Sequence, residues 1–134
     1  MNPASILIAD DHSIIRKTIR DWLGKKYPWI VMLEARTGEE VLRILQAVSV
    51  DLILMDIHFP GMTGVDATKI IKEKHPDIPI VIVTVQEDDH YQMSAIAAGA
   101  DGYVIKRNMY SDLIPVIAPL IDKLRTYALV QENA

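Results

Sequence analysis

Cysteine is absent from this chain of 134 residues, which excludes disulfides, thiol nucleophiles and cysteine-ligated zinc or iron–sulfur centres. Long apolar runs are missing too. The longest in the C-terminal third, Leu113 to Ile121, is broken by Pro115 and Pro119 and falls well short of the roughly 20 residues of a membrane span. The N-terminus, MNPASILIADD, has no basic leader and meets Asp10 and Asp11 early, so it does not read as a signal peptide and a cytoplasmic location is the expectation. Basic charge is in deficit: 14 Lys and Arg against 18 Asp and Glu leave −4 with His neutral, and the two signs interleave. That balance disfavours nucleic acid and anionic membranes as partners. The length suits one domain of about 100–150 residues and leaves no room for a separately folded output module. Half of the residues are hydrophobic and 24% are charged, a globular composition with no signature of disorder.

What is present is an alternation. Five short runs rich in Ile, Val and Leu read as strands buried on both faces: Ser5–Ala9, Val31–Ala35, Leu52–Met55, Ile80–Val85 and Tyr103–Ile105. Between them apolar residues recur at helical spacing: Ile15, Ile19, Trp22 and Leu23; Val41, Leu42, Leu45 and Val48; Val65, Ile70 and Ile71; Met93, Ile96 and Ala97. Gly24 and Pro28, Thr37 with Gly38, and Pro76 with Pro79 punctuate the boundaries. Strand–helix alternation predicts a parallel sheet covered by helices on both faces, because parallel strands need right-handed crossovers. A fifth helix carries the stripe Leu113, Ile114, Ile117, Leu120, Ile121 and Leu124, with both prolines inside it. Pro115 is tolerable if Asp112 caps the helix, whereas Pro119 predicts a kink or a late start.

In open sheets of this class ligands bind beyond the carboxyl ends of the strands, where strand order reverses. Asp10 and Asp11 end the first strand, Asp56 the third, Thr84 lies near the end of the fourth and Lys106 ends the fifth. In the order 2-1-3-4-5, taken from known folds of this class, the first and third strands are neighbours and the three carboxylates converge. Each Asp alone could be an ordinary helix cap. Together they would repel and raise one another's pKa unless a cation sat among them, and oxygen ligands with few protein donors suit Mg2+. His12, His58, His75 and His90 show no zinc-ligand spacing.

The texts ILIADDH at 6–12, LILMDIHFPGMTGVDAT at 52–68, VIVTVQED at 81–88 and AAGADGYVIK at 97–106 resemble, in that order, a response-regulator receiver domain. The opening ADDH and the AGADGYVIK segment are most similar to receivers of the nitrate-regulator and quorum-regulator subfamily, which carry a helix-turn-helix output domain. The resemblance implies a flavodoxin-like (βα)5 fold over residues 1–124, with 125–134 as the helix end or the start of a linker. It implies Asp56 as phosphoacceptor, Asp10 and Asp11 with the His58 carbonyl as Mg2+ ligands, Lys106 and Thr84 as phosphoryl-contacting groups, and Thr84 with Tyr103 as a switch pair. It also implies a signalling domain rather than an enzyme, one that assists its own phosphorylation and slow dephosphorylation. The partner is then a sensor histidine kinase or phosphotransfer protein. Ile14 and Thr18, on a second face of the first helix beside the acidic residues, are the candidate contact for it.

Three positions depart from the family pattern. Arg107 follows Lys106 where many receivers have proline, so a cis bond there is not expected. Val85 replaces a small residue and narrows access to the phosphoryl group, and Phe59 replaces Met before Pro60. Two enzyme readings fail on motif: a flavin phosphate would be repelled by Asp10 and Asp11, and Asp10-Asp11-His12-Ser13 is not the Asp-x-Asp of a haloacid-dehalogenase-type phosphatase. The alternative that remains is a receiver-shaped binding module that works without phosphorylation. For assembly, a bent fifth helix favours a homodimer through the first and fifth helices over one through the fourth-helix face.

Overall fold

Strand residues that are apolar on both faces demand cover on both faces, and the chain supplies it. The computed structural model describes residues 3–132, with side chains to residue 126. In chain order the elements are β1 (Ser5–Ala9), α1 (Ser13–Lys26), β2 (Val31–Ala35), α2 (Gly38–Ala47), β3 (Leu52–Met55), α3 (Gly64–Lys74), β4 (Ile80–Thr84), α4 (Asp89–Ala97), β5 (Gly102–Ile105) and, after a short 3-10 turn at Lys106–Asn108, α5 (Met109–Glu132). The sheet is parallel throughout, in the order β2-β1-β3-β4-β5, as expected.

Alternation along the strands divides the core in two. Leu7, Ala9, Ile53, Met55, Ile80 and Ile82 face one layer with Val41, Ala67, Ile71 and Ala95 of α2, α3 and α4. Ile6, Ile8, Leu52, Leu54, Val81 and Val83 face the other, with Ile19 and Leu23 of α1 and Leu113, Ile117 and Ile121 of α5. Each buried Leu, Ile, Val and Met side chain among these contributes about 1.5–3 kcal/mol by leaving water. The edge strand β2 pairs only with β1 and is covered unevenly, from Val31, 42% exposed, to the fully buried Ala35.

Four local expectations need correction. Strand β4 stops at Thr84, and Val85 turns out into solvent as the chain bends towards α4. Strand β5 begins one residue early, at Gly102, where a Cβ would lie 2.8 Å from Val116 Cγ1, so glycine lets α5 pack close. In α4 the buried residue is Ala95, while Met93 and Ile96 are exposed. That helix is apolar on both sides, so its spacing could not tell core from surface. Finally, α5 does not start late at Pro119: it begins at Met109 and contains both prolines, with Asp112 inside the first turn rather than capping it.

The prolines are tolerated for a positional reason. Each deprives one carbonyl, of Ser111 or Pro115, of its helical donor. Ser111, Pro115 and Pro119 lie on the outer face, where water can solvate those carbonyls, while Leu113, Ile117 and Ile121 anchor the opposite face at four-residue intervals. With α5 formed from Met109, its first turns no longer disfavour pairing through α4, β5 and α5. The helix runs through residue 125 to Glu132; residues 133 and 134 lie outside the described residues. Among the described residues no helix is long and apolar enough to cross a membrane, and every peptide bond is trans, that of Lys106–Arg107 included.

Candidate functional site

At the carboxyl ends of β1 and β3 the main chain fixes two aspartates side by side. Asp10 N donates to Ala35 O at 3.1 Å, and Asp56 N donates to Ala9 O at 2.9 Å. Their carboxylates are 2% and 5% exposed as residues, so neither can rely on water for its charge. Lys106, at the end of β5 and with its side chain 10% exposed, reaches back across the sheet to both: Nζ lies 2.6 Å from Asp10 Oδ2 and 3.0 Å from Asp56 Oδ2. Burial works against the ammonium and is the largest influence on it. The hydrogen bond to Asp10 and the attraction of Asp56 and Asp10 together outweigh it, holding the Lys106 pKa above its usual value.

The remaining carboxylate oxygens meet loop donors. Ile57 N donates to Asp56 Oδ1 at 2.7 Å and His12 N to Asp10 Oδ1 at 2.8 Å. Asp56 is held from below by α3, whose Gly64 N donates to Ile57 O at 2.7 Å. A Cβ on Gly64 would fall 1.8 Å from the Asp56 carbonyl oxygen, so only glycine lets that helix start under the aspartate. Thr63 closes the helix end, its Oγ1 accepting from Asp66 N.

Asp10, Asp11, His12 and Asp56 each present a ligand atom within 4.8 Å of the others. An oxygen-dominated set of this kind fits a hard divalent cation such as Mg2+ and is a poor match to zinc. Sequence spacing gives His12 no zinc-ligand role; in the fold its Nδ1 lies 3.1 Å from both Asp10 Oδ1 and Asp11 Oδ1. The DDH adjacency was the available signal. His58 is exposed, and its ring packs edge-on against Tyr91 at 5.6 Å, so the side chain points towards α4; the role expected of it concerns only its carbonyl.

The two switch candidates converge on the main chain of one residue, Gln86. Gln86 N donates to Thr84 Oγ1 at 3.4 Å, and Tyr103 Oη donates to Gln86 O at 2.8 Å. Thr84 is fully buried and Tyr103 half-buried. Burial, then the charge of Asp56 and the neighbouring Tyr91 and Asp88, push the Tyr103 phenol up. Arg107 forms an exposed ion pair with Glu87 at 2.6 Å, joining the loops after β4 and β5. Ile14 is 78% exposed and so does not belong to the core stripe; the Thr18 hydroxyl donates to its carbonyl at 2.8 Å.

A doubly wound parallel sheet in the order 2-1-3-4-5, with an acidic cluster and a lysine beyond its carboxyl ends, places the chain in the flavodoxin-like class, and comparison with known proteins makes this specific. The family described as response regulator receiver domain matches residues 6–118, and the chain belongs to it. It is 38% identical over 75% of its length to the transcriptional regulatory protein YdfI of Bacillus subtilis, covering 47% of that protein. It is 31% identical over 86% of its length to the nitrate/nitrite response regulator protein NarL of Escherichia coli, covering 53%. The chain thus spans about half the length of these relatives. Among solved structures, response regulator protein TrrA of Thermotoga maritima, in complex with Mg2+ and BeF, superposes with a TM-score of 0.78 at 28% identity, over 87% of this chain and 98% of that one.

Proposed function

We propose that Asp56 accepts a phosphoryl group from a sensor histidine kinase or phosphotransfer protein, with Mg2+ held by Asp10, Asp11, Asp56 and the His58 carbonyl. The observation that carries this is the convergence of Asp10, Asp11 and Asp56 on one cluster with Lys106 Nζ bridging two of them. An Asp56 oxygen attacks the phosphorus of a phosphohistidine, the P–N bond breaks, and the imidazole nitrogen keeps the electron pair while the acyl phosphate forms. Lys106 neutralises charge on the transferring group, and Thr84 supplies a hydroxyl to a phosphoryl oxygen. A divalent cation held by Asp10, Asp11 and Asp56 would offset the repulsion between these carboxylates and an incoming phosphoryl group. Thr84 and Tyr103 then pass the change on through the backbone of Gln86, whose N–H and C=O they respectively hold.

The chain is on this reading a signalling domain, not an enzyme with a separate substrate, and works in the cytoplasm. The names of the relatives support an output in gene control, and the net charge of −4 supports signalling by protein contact rather than by direct nucleic-acid binding. Ile14 and Thr18 form the kinase contact, and the surface of α1 and α5, which lie side by side within the chain with Trp22 edge-on to Tyr110 at 5.1 Å, is one face open to a homodimer, the face of α4, β5 and α5 being the other.

The test is intact mass after incubation with a small acyl phosphate, with and without Mg2+. One added phosphate that needs Mg2+ supports the proposal; none under any condition would leave a receiver-shaped binding module. Ile14→Asp should slow transfer from a cognate kinase and spare the small donor, and equal loss of both would assign Ile14 a structural role instead.

A further inference from the structure

We propose that Arg16 is a positioning residue for the acidic cluster, acting through the main chain of Asp10. Its side chain, on the second turn of α1, is only 11% exposed. Nη1 donates to Asp10 O at 2.8 Å and Nε donates to Glu34 Oε1 at 3.1 Å. Glu34 projects from β2, where it pairs in register with Ile8 of β1, and its second oxygen accepts from Arg20 Nη1. Arg20, Glu34 and Arg16 therefore form a chain from the edge of the sheet to the carbonyl of Asp10.

The two peptide groups that flank the Asp10 Cα are thereby both gripped. The N–H of Asp10 is taken by Ala35 O of β2 and its C=O by Arg16, so the backbone angles that aim the carboxylate have little freedom. Both grips originate in β2 or in a side chain oriented by β2, an edge strand that contributes no ligand atom to the cluster. Only arginine can do this from α1: its planar fork directs one N–H at a carboxylate and another at a carbonyl, whereas a lysine ammonium serves either as a point charge. Groups that orient a ligating carboxylate commonly matter to metal affinity about as much as tenfold or more.

The inference rests on the Mg2+ reading above, and the sign of one effect separates it from its rivals. A guanidinium acting by charge alone would repel a cation, so its removal would tighten Mg2+ binding. One that only ties α1 to β2 would lower the melting temperature and leave affinity alone. The experiment is titration of the full chain with MgCl2 alone, followed by the amide resonances of residues 10–12, alongside melting of the Mg2+-free protein. Arg16→Gln should weaken Mg2+ binding about tenfold, and Arg16→Lys should weaken it by less. Unchanged or tighter binding in Arg16→Gln would overturn the proposal. If Arg16→Gln does not fold, Arg16→Lys decides: weaker binding supports the role, and parental affinity refutes it. A parent chain that binds no Mg2+ would instead refute the phosphoacceptor reading itself.

Discussion

The two ends of the same sheet use aspartate in opposite ways. At the amino end, Asp51 Oδ2 accepts from Ser5 N at 2.8 Å, and Asp101 Oδ2 accepts from Ile80 N at 2.8 Å and from Lys72 Nζ at 2.7 Å. Each carboxylate there caps the first N–H of a neighbouring strand. At the carboxyl end Asp10 and Asp56 each find one loop N–H, and their other oxygens share the single ammonium of Lys106. The difference follows from strand polarity. A parallel sheet leaves strand N–H groups free at its amino end and carbonyls free at its carboxyl end, so Asp51 and Asp101 each take a strand N–H, with the Lys72 ammonium added at Asp101, whereas the buried Asp10 and Asp56 have only loop donors and share one ammonium. Aspartates tied to strand N–H groups hold structure, and the buried pair that shares one ammonium is available for chemistry.

The largest effect that could break this contrast is on Asp56. Asp56→Asn should abolish phosphoryl acceptance in an intact-mass assay, because an amide cannot form the acyl phosphate. Asp101→Ala should leave acceptance in place and instead cost about 1–3 kcal/mol of unfolding free energy, measured by denaturant melts, since it strands the buried Ile80 N–H. Loss of acceptance in a folded Asp101→Ala protein would erase the distinction between the ends.

Next in size is Lys106→Ala, expected to slow acceptance roughly 100-fold while Mg2+ binding is kept, because the ammonium shares the carboxylates with the cation and does not ligate it. Abolished Mg2+ binding would reverse that division of labour. Gly64→Ala should destabilise the fold by about 3 kcal/mol and misplace Asp56, read by denaturant melts and the same mass assay; parental stability would mean that α3 does not seat the aspartate.

The smallest effect concerns Tyr103, whose phenol is raised above the ordinary value of 10.0 by burial first and by Asp56 next. A raised pKa adds stability that is complete below the unfolded value and is lost as pH rises through the folded one. Stability of the parent should therefore fall above about pH 10 more steeply than that of Tyr103→Phe. Parallel declines would place the phenol in ordinary solvent.

Legibility in the sequence tracked the same polarity. Strands whose two faces are both apolar are plain in the sequence, and Asp10, Asp56 and Lys106 stand at their carboxyl ends. What spacing could not reveal was decided by neighbours distant in the chain. Met93 and Ile96 keep helical period yet face water, because α4 packs on the core through Ala95, with Tyr91 half-buried beside it. Pro119 looked like a helix breaker, but the outer face of α5 solvates what it disrupts. Arg16 gave no signal at all: its partners are a main-chain carbonyl and a glutamate of the edge strand, neither of which follows from the residues beside it.

The contrast between the two ends is tested most directly by locating the phosphoryl group. The parent protein, phosphorylated by a small acyl phosphate with Mg2+ and trapped by reduction of the acyl phosphate, can be digested and mapped by mass spectrometry. The account predicts a single modified position, Asp56; modification at Asp51 or Asp101, or at Asp10 or Asp11 in place of Asp56, would contradict it.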